Sequence, residues 1–349
     1  MKPRHAAVLA YVLAIVIVVA ACGGATATKP TATASPSPTA SPGVAAYEHV
    51  KALSGGIGRR PAGSPAEVKA RDYIIGQLRS YGYDVSVQEF EVPRKDKPPI
   101  RSANVIAVKP GSDRSWRIIV GAHYDSVKVG RGAFDNATGV GVLLEVAQRL
   151  AGRETPYTIE FVAFGAEELG YKGSKTHFKY FQGNVAGPPA DEVAMVNLDS
   201  VATGDKLYVY SAKGANGWPR NETLAYAAET GLPLLTNPGL NPDYPRGTTG
   251  DWSDHRWFAK AGIPYLYFEA TNWNIGEKDG YVTTRKAGEV WHTQDDTLAF
   301  IEKTFPGRMQ RQLSEDVVLL EHFLTTEPET PLVIKLGSPS PAASGSPGP

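Results

Sequence analysis

Apolar positions recur along this chain with two distinct periods, and each period predicts an element. Val140, Leu143, Leu144, Ala147 and Leu150 fall at helical spacing, which predicts a helix over about 137–151. Ile118, Ile119 and Val120 form a short apolar run between polar residues, as a strand buried on both faces would. Residues 84–92 alternate at first like a half-buried strand, and 103–108, 157–164, 193–198, 207–210 and 263–268 read as further strands. Ser64, Pro65 and Glu67 mark a helix start: the Ser caps, the Pro suits the first turn, and the Glu completes a capping box. That helix runs to about residue 81 and stops at Gly82, and 309–324 reads as a closing helix. Strands alternating with helices imply a largely parallel sheet covered on both faces. In such sheets reactive groups gather beyond the carboxyl ends of the strands.

The two ends depart from this pattern. Lys2, Arg4 and His5 precede an apolar run over 6–21, too short for a comfortable membrane span but flanked as a secretory signal is. The run ends in Val19-Ala20-Ala21-Cys22, which resembles the bacterial lipobox. That resemblance implies a signal peptide over 1–21 and a lipid on Cys22, the chain's only cysteine. It implies export, with the protein held through its lipid at the outer face of the bacterial cytoplasmic membrane, or extracellular. Residues 22–43 are rich in Ala, Thr, Ser and Pro, as a tether is, and 336–349 form a Ser/Pro tail. One folded domain is expected over 44–335. Lys plus Arg balance Asp plus Glu at 36 each, so no basic excess points to nucleic acid.

Five segments place acidic or imidazole groups after an apolar strand or in a loop. They are His123-Tyr124-Asp125-Ser126, Gly132-Ala133-Phe134-Asp135-Asn136-Ala137-Thr138-Gly139, Glu167-Glu168, Asn197-Leu198-Asp199, and His292-Thr293-Gln294-Asp295-Asp296-Thr297. Singly, each reads as a cap or a structural hydrogen-bonding group. Together they supply the nitrogen and oxygen donors that zinc accepts. Asp125 and Asp296 stand where carboxylates that orient the two His ligands would be needed.

These five motifs, with Ser253-Asp254-His255, resemble the M28 family of co-catalytic zinc peptidases over about 44–325. The resemblance implies a mixed, mostly parallel sheet flanked by helices on both faces, and two zinc ions acting on peptide or protein substrates. It implies that Asp135 bridges the ions, that His123 and Asp199 complete one site, and that Glu168 and His292 complete the other. Glu167 would be the general base, Asp125 would orient His123, and a cis peptide would join Asp135 to Asn136. The activity implied is that of an aminopeptidase. Three alternatives remain: a glutaminyl cyclase, which shares the His-Tyr-Asp-Ser stretch, a carboxypeptidase, and a non-catalytic lipoprotein binding module. One departure stands out. Some aminopeptidases of the family carry a Tyr beside the last His, where this chain has Trp291, leaving Tyr265, Tyr267, Tyr281 or a backbone group to stabilise the oxyanion. The aromatic segment 218–257 is expected either to wall the substrate cleft or to be an irregular excursion.

Overall fold

Eight strands form one sheet in a computed structural model that describes residues 40–184 and 192–327. Cys22 and the tail at 336–349 lie outside the described residues. The strands are β1 (Val85–Arg94), β2 (Lys97–Lys109), β3 (Asp113–His123), β4 (Tyr157–Phe164), β5 (Glu192–Leu198), β6 (Lys206–Tyr210), β7 (Leu234–Leu235) and β8 (Tyr265–Thr271). Their spatial order is β1-β2-β4-β3-β5-β8-β6-β7. The middle four, β4, β3, β5 and β8, run parallel, and β2 and β6 flank them antiparallel. The sheet is therefore mixed and mostly parallel at its centre.

Successive side chains of a strand point to opposite faces, and the central strands are apolar on both. Ile118, Val120 and Ala122 of β3 join the main core, which holds α1 (Val44–Val50), α2 (Pro65–Ser80), α3 (Thr138–Leu150), α5 (Trp218–Thr230) and α8 (Arg308–Thr325). Ile119 turns the other way and packs with Val162, Phe164 and Met195. That side is covered by α4 (Lys172–Asn184) and α6 (Arg256–Lys260), whose Phe178 and Phe258 rings meet edge to face at 5.2 Å. A further short helix, α7 (Leu298–Thr304), precedes α8.

β1, β4, β5 and β6 lie within two residues of their expected spans, whereas β2 and β3 begin six and five residues earlier than expected and β7 was not expected. β8 begins at Tyr265 instead of 263, because Ile263 leaves the ladder to pack against Phe258. Helix α5 lies inside the segment 218–257, which is therefore not irregular throughout; its Pro219 sits in the first helical turn, where Pro is tolerated. Ser64 caps α2 by accepting the Glu67 N–H at 3.2 Å. The Glu67 carboxylate reaches back to the Gly63 N–H at 2.5 Å, so the capping box closes one residue earlier than its sequence form.

The order of connections decides where a site can form. From β3 the chain passes through α3 to β4 on one side, then through α4 back across to β5 on the other. Chains leaving the carboxyl end of β3 and its neighbours thus part in opposite directions, which opens a crevice there.

Candidate metal centre

The crevice collects the residues singled out in the sequence. β3 ends on His123, β5 is followed directly by Asp199, and β4 runs through Gly165 and Ala166 into a tight turn at Glu167–Leu169. Asp135 sits in the loop before α3, and His292 reaches in from a late loop at the rim. His123 Nε2 faces Asp135 Oδ1 at 3.1 Å and Asp199 Oδ1 at 3.3 Å. His292 Nε2 faces Asp135 Oδ2 at 3.2 Å and Glu168 Oε2 at 2.9 Å. The donor atoms of His123, Asp135 and Asp199 lie within 4.8 Å of one another, and so do those of Asp135, Glu168 and His292. Asp135 belongs to both of these groups and gives one carboxylate oxygen to each, and a third group joins His123, Glu167 and Glu168.

Local sequence builds this arrangement. The peptide between Asp135 and Asn136 is cis. The Asn136 amide donates to Leu198 O at 2.8 Å, while its oxygen accepts the N–H groups of Gly139 at 2.9 Å and Ser200 at 3.1 Å. One side chain thus ties the Asp135 loop, the start of α3 and the end of β5 together. Gly139 is needed in that packing, since a Cβ there would stand 2.3 Å from Leu198 O. Ala166, Ser200 and His292 all hold left-handed backbone, at φ 54°, 53° and 57°. A side-chain-bearing residue in that region costs about 1–2 kcal/mol, and these three flank or bear candidate ligands, where such strain tends to gather.

Carboxylates behind the cluster hold the loops. Asp125 stands 3.6 Å from His123 Nδ1, beyond hydrogen-bond length. Its two oxygens accept the backbone N–H groups of Glu167 at 3.0 Å and Glu168 at 3.3 Å. Asp296, placed by sequence beside His292, accepts instead from Phe134 N–H at 2.6 Å and Asp135 N–H at 3.3 Å. It positions the Asp135 loop, because the late loop, having delivered His292, passes against the Phe134 and Asp135 backbone. Ser253 Oγ donates to Asp199 Oδ2 at 2.6 Å and itself accepts from the Asn197 amide at 2.8 Å. Asp254 beside it is fully buried, and that burial raises its pKa to about 7.

Arg60, which no sequence motif singles out, is fully buried beneath the site. Its guanidinium donates to the carbonyls of Tyr124 and Gly58 at 2.8 Å and of Arg131 and Gly132 at 2.9 Å. Burial lowers its pKa to about 10, against the pull of Asp296, Asp125, Asp135 and Glu168, so it keeps its charge at neutral pH.

Proton affinities in the cluster report crowded negative charge. Burial, with Asp135 next to it, raises Glu168 to about 7. Burial drives Glu167 well above the carboxylate range. Burial would raise Asp135 too, but hydrogen bonds to His123 and His292 hold it low. Those two His residues rise in spite of burial, His292 to about 10, because carboxylates surround them. Paired imidazole and carboxylate donors, crowded and short of cations, are the set that zinc accepts.

Comparison with known proteins gives the family. Residues 104–317, more than half of the 349-residue chain, match peptidase family M28. The chain belongs to that family. This M28 peptidase is 36% identical over 285 residues to the alkaline phosphatase isozyme conversion protein of Escherichia coli (strain K12), covering 72% of this chain and 81% of that one. It is 32% identical over 208 residues to aminopeptidase YwaD of Bacillus subtilis (strain 168), covering 58% of this chain and 41% of that one. Its fold matches BSAP, a zinc aminopeptidase from Bacillus subtilis, with a TM-score of 0.66 at 20% identity, covering 84% of this chain and 98% of that one. It also matches Porphyromonas gingivalis glutaminyl cyclase, with a TM-score of 0.61 at 24% identity, covering 81% of this chain and 98% of that one. At such identities the structural likeness establishes the fold alone. The M28 membership makes the chain a zinc-dependent metallopeptidase.

A cavity of about 480 Å³ opens from the metal cluster of this M28 peptidase. Tyr244 and Trp252 line it, so part of the 218–257 segment does wall the cleft. Trp291 lines it as well, but its indole N–H is committed to Tyr281 O at 3.1 Å. Of the tyrosines considered from sequence, Tyr267 and Tyr281 line the cavity and Tyr265 does not; Tyr171, not considered, does.

Proposed function

We propose that this M28 peptidase is an aminopeptidase working with two zinc ions. Asp135 is assigned as the shared ligand, His123 and Asp199 as the remaining ligands of one ion, and Glu168 and His292 as those of the other. The observation that carries the assignment is the division of Asp135, with Oδ1 3.1 Å from His123 Nε2 and Oδ2 3.2 Å from His292 Nε2. Zinc, when bound, supplies an acidified water near neutral pH and polarises the scissile carbonyl.

The chain's own groups do the rest. Glu167 faces the cavity and is buried, placed to accept a proton and give it up again. It takes the proton of the attacking water at a carboxylate oxygen and returns it to the nitrogen of the leaving amine. Asp125 fixes the Glu167–Glu168 backbone through two hydrogen bonds, so the adjacent carboxylates keep separate directions. The Asp135-Asn136-Ala137-Thr138-Gly139 stretch and the aminopeptidase name of one relative favour this reading over a cyclase. A cavity of about 480 Å³ is also the size of a small-molecule site, which suits one terminal residue.

Metal analysis beside an aminoacyl-anilide panel tests the reading. The purified protein should carry two zinc ions per chain, release anilide from free N-terminal residues, lose activity to a chelator and regain it with zinc. Ring closure of Gln-naphthylamide without hydrolysis of Leu-naphthylamide would assign a cyclase instead.

Location is a second proposal, resting on Val19-Ala20-Ala21-Cys22. We infer that Cys22 bears lipid and holds the domain outside the cytoplasmic membrane. Cys22→Ala should lose a metabolic acyl label and leave the membrane fraction; equal labelling of variant and parent would rule the anchor out.

A further inference from the structure

The cavity beside the metal cluster is also lined by residues that the hydrolytic machinery does not use. Tyr244, Trp252 and Tyr267 wall it, and it contains two carboxylates, Glu269 and Asp279, that belong to none of the candidate metal groups. Glu269 interrupts β8, which otherwise reads Tyr265-Leu-Tyr-Phe and Ala-Thr. Phe268 pairs with Leu198 in the parallel ladder, and Asp199 N–H donates to Phe268 O at 3.3 Å. Asp199 and Glu269 therefore follow paired residues on adjacent strands, about 4.7–4.9 Å apart in the ladder direction. Glu269 stands one strand away from a candidate ligand and on the same face of the sheet.

The described hydrogen-bond partners of Glu269 are both neutral. Tyr210 donates its hydroxyl to one oxygen at 2.7 Å, and Tyr267 donates to the other at 3.4 Å. The Tyr210 oxygen is held in turn by the Trp273 indole N–H at 2.6 Å. Asp279 accepts only the Tyr281 N–H at 3.0 Å among the described hydrogen bonds. No Lys or Arg is among the described residues that line the cavity. Burial, helped by Asp199 and Asp279, raises Glu269 to about 8, the response of a carboxylate that lacks a counter-charge. A group of this kind is costly to bury unless something pairs with it, and its described hydrogen-bond partners are two neutral tyrosine hydroxyls. The aromatic walls offer flat faces for an alkyl stem and a cation.

We propose that the part of the cavity lined by these residues receives the side chain of the substrate's N-terminal residue, and that Glu269, assisted by Asp279, selects Arg or Lys there. The inference rests on the aminopeptidase reading and names its substrate class. An α-amine is the other cation a substrate brings. It needs no chamber of three aromatic walls, and it is common to every substrate, which makes the two roles separable.

The test compares kcat/KM for Lys-anilide with that for norleucine-anilide, which has nearly the same stem without the charge, and adds Arg- and Leu-anilides. The zinc-loaded parent should favour Lys over norleucine by about 10- to 100-fold, the size of a hydrogen bond to a charged group. Glu269→Gln should bring that ratio close to one, and Asp279→Asn should lower it part of the way. A parent that cleaves norleucine- or Leu-anilide as well as Lys-anilide overturns the proposal and leaves the aminopeptidase reading standing. A Glu269→Gln variant that loses equally on all four substrates also overturns it, since the carboxylate would then serve the common amine. A parent that cleaves none of the four removes the aminopeptidase reading and this pocket with it.

Discussion

Replacing Glu167 by Gln should lower kcat by about 10²–10⁴-fold while the protein keeps both metal ions. The amide preserves the size of the side chain and can still hydrogen-bond a water, but it cannot take its proton. Glu168→Ala should behave differently although it alters the next residue. Glu168 Oε2 stands 2.9 Å from His292 Nε2, and its Oε1 accepts the Val127 N–H at 3.1 Å, so its removal opens one candidate metal group. That variant should lose metal and activity together. Two solvated glutamates on a surface turn would instead tolerate either change. Metal content by mass spectrometry, read beside kcat on an aminoacyl-anilide, distinguishes these outcomes. Near-normal turnover in Glu167→Gln, or metal loss in that variant alone, would refute the proposed roles.

The largest effect on stability is expected at Arg60. Its guanidinium bonds four carbonyls at 2.8–2.9 Å, and two of them, Tyr124 and Gly132, adjoin the loops that bear Asp125 and Asp135. Arg60→Met removes the donors and leaves buried acceptors, and nearby buried carboxylates, without their partner. Breaking a buried charged network in this way costs about 3–5 kcal/mol. In a domain of this size each kcal/mol moves the melting temperature by roughly 2–4 °C, so a fall on the order of 10 °C is expected. Arg60→Lys keeps the charge, but one ammonium cannot span four carbonyls, and it should recover only part of the loss. Thermal unfolding followed by circular dichroism measures both variants, and a melting temperature within about 2 °C of the parent for Arg60→Met would contradict this account.

Much of the site was legible because its residues obey a local rule. His123 closes an apolar strand, Asp199 follows another, and Glu167 lies three residues beyond a third. A parallel sheet puts such positions at one edge whatever the connecting loops do. The helices that sequence missed are explained by composition. α4, over Lys172–Asn184, has a polar stretch with few apolar positions, and α5 begins at a Trp-Pro pair that reads as an interruption. Neither has a strong period of its own, and packing on the sheet supplies what propensity does not. Arg60, Glu269 and the partners of Asp296 were not legible, because their contacts join positions far apart in the chain. Arg60 donates to carbonyls 64 and 72 residues away, and Asp296 accepts from an N–H 162 residues away.

The residue types and their order along the chain were enough to set the alternation of strands and helices, the two-faced core and the candidate donor set. These follow from hydrophobic period and from donor chemistry, which are properties of short segments. What the assembled sheet decided is direction. It alone splits Asp135 between His123 and His292, and turns Asp296 to the Phe134 and Asp135 backbone. It also places Ala166, Ser200 and His292 in left-handed backbone beside the site. A carboxylate's aim depends on backbone dihedrals, and unfavourable dihedrals persist only where surrounding contacts enforce them. Those contacts exist only once distant segments have packed.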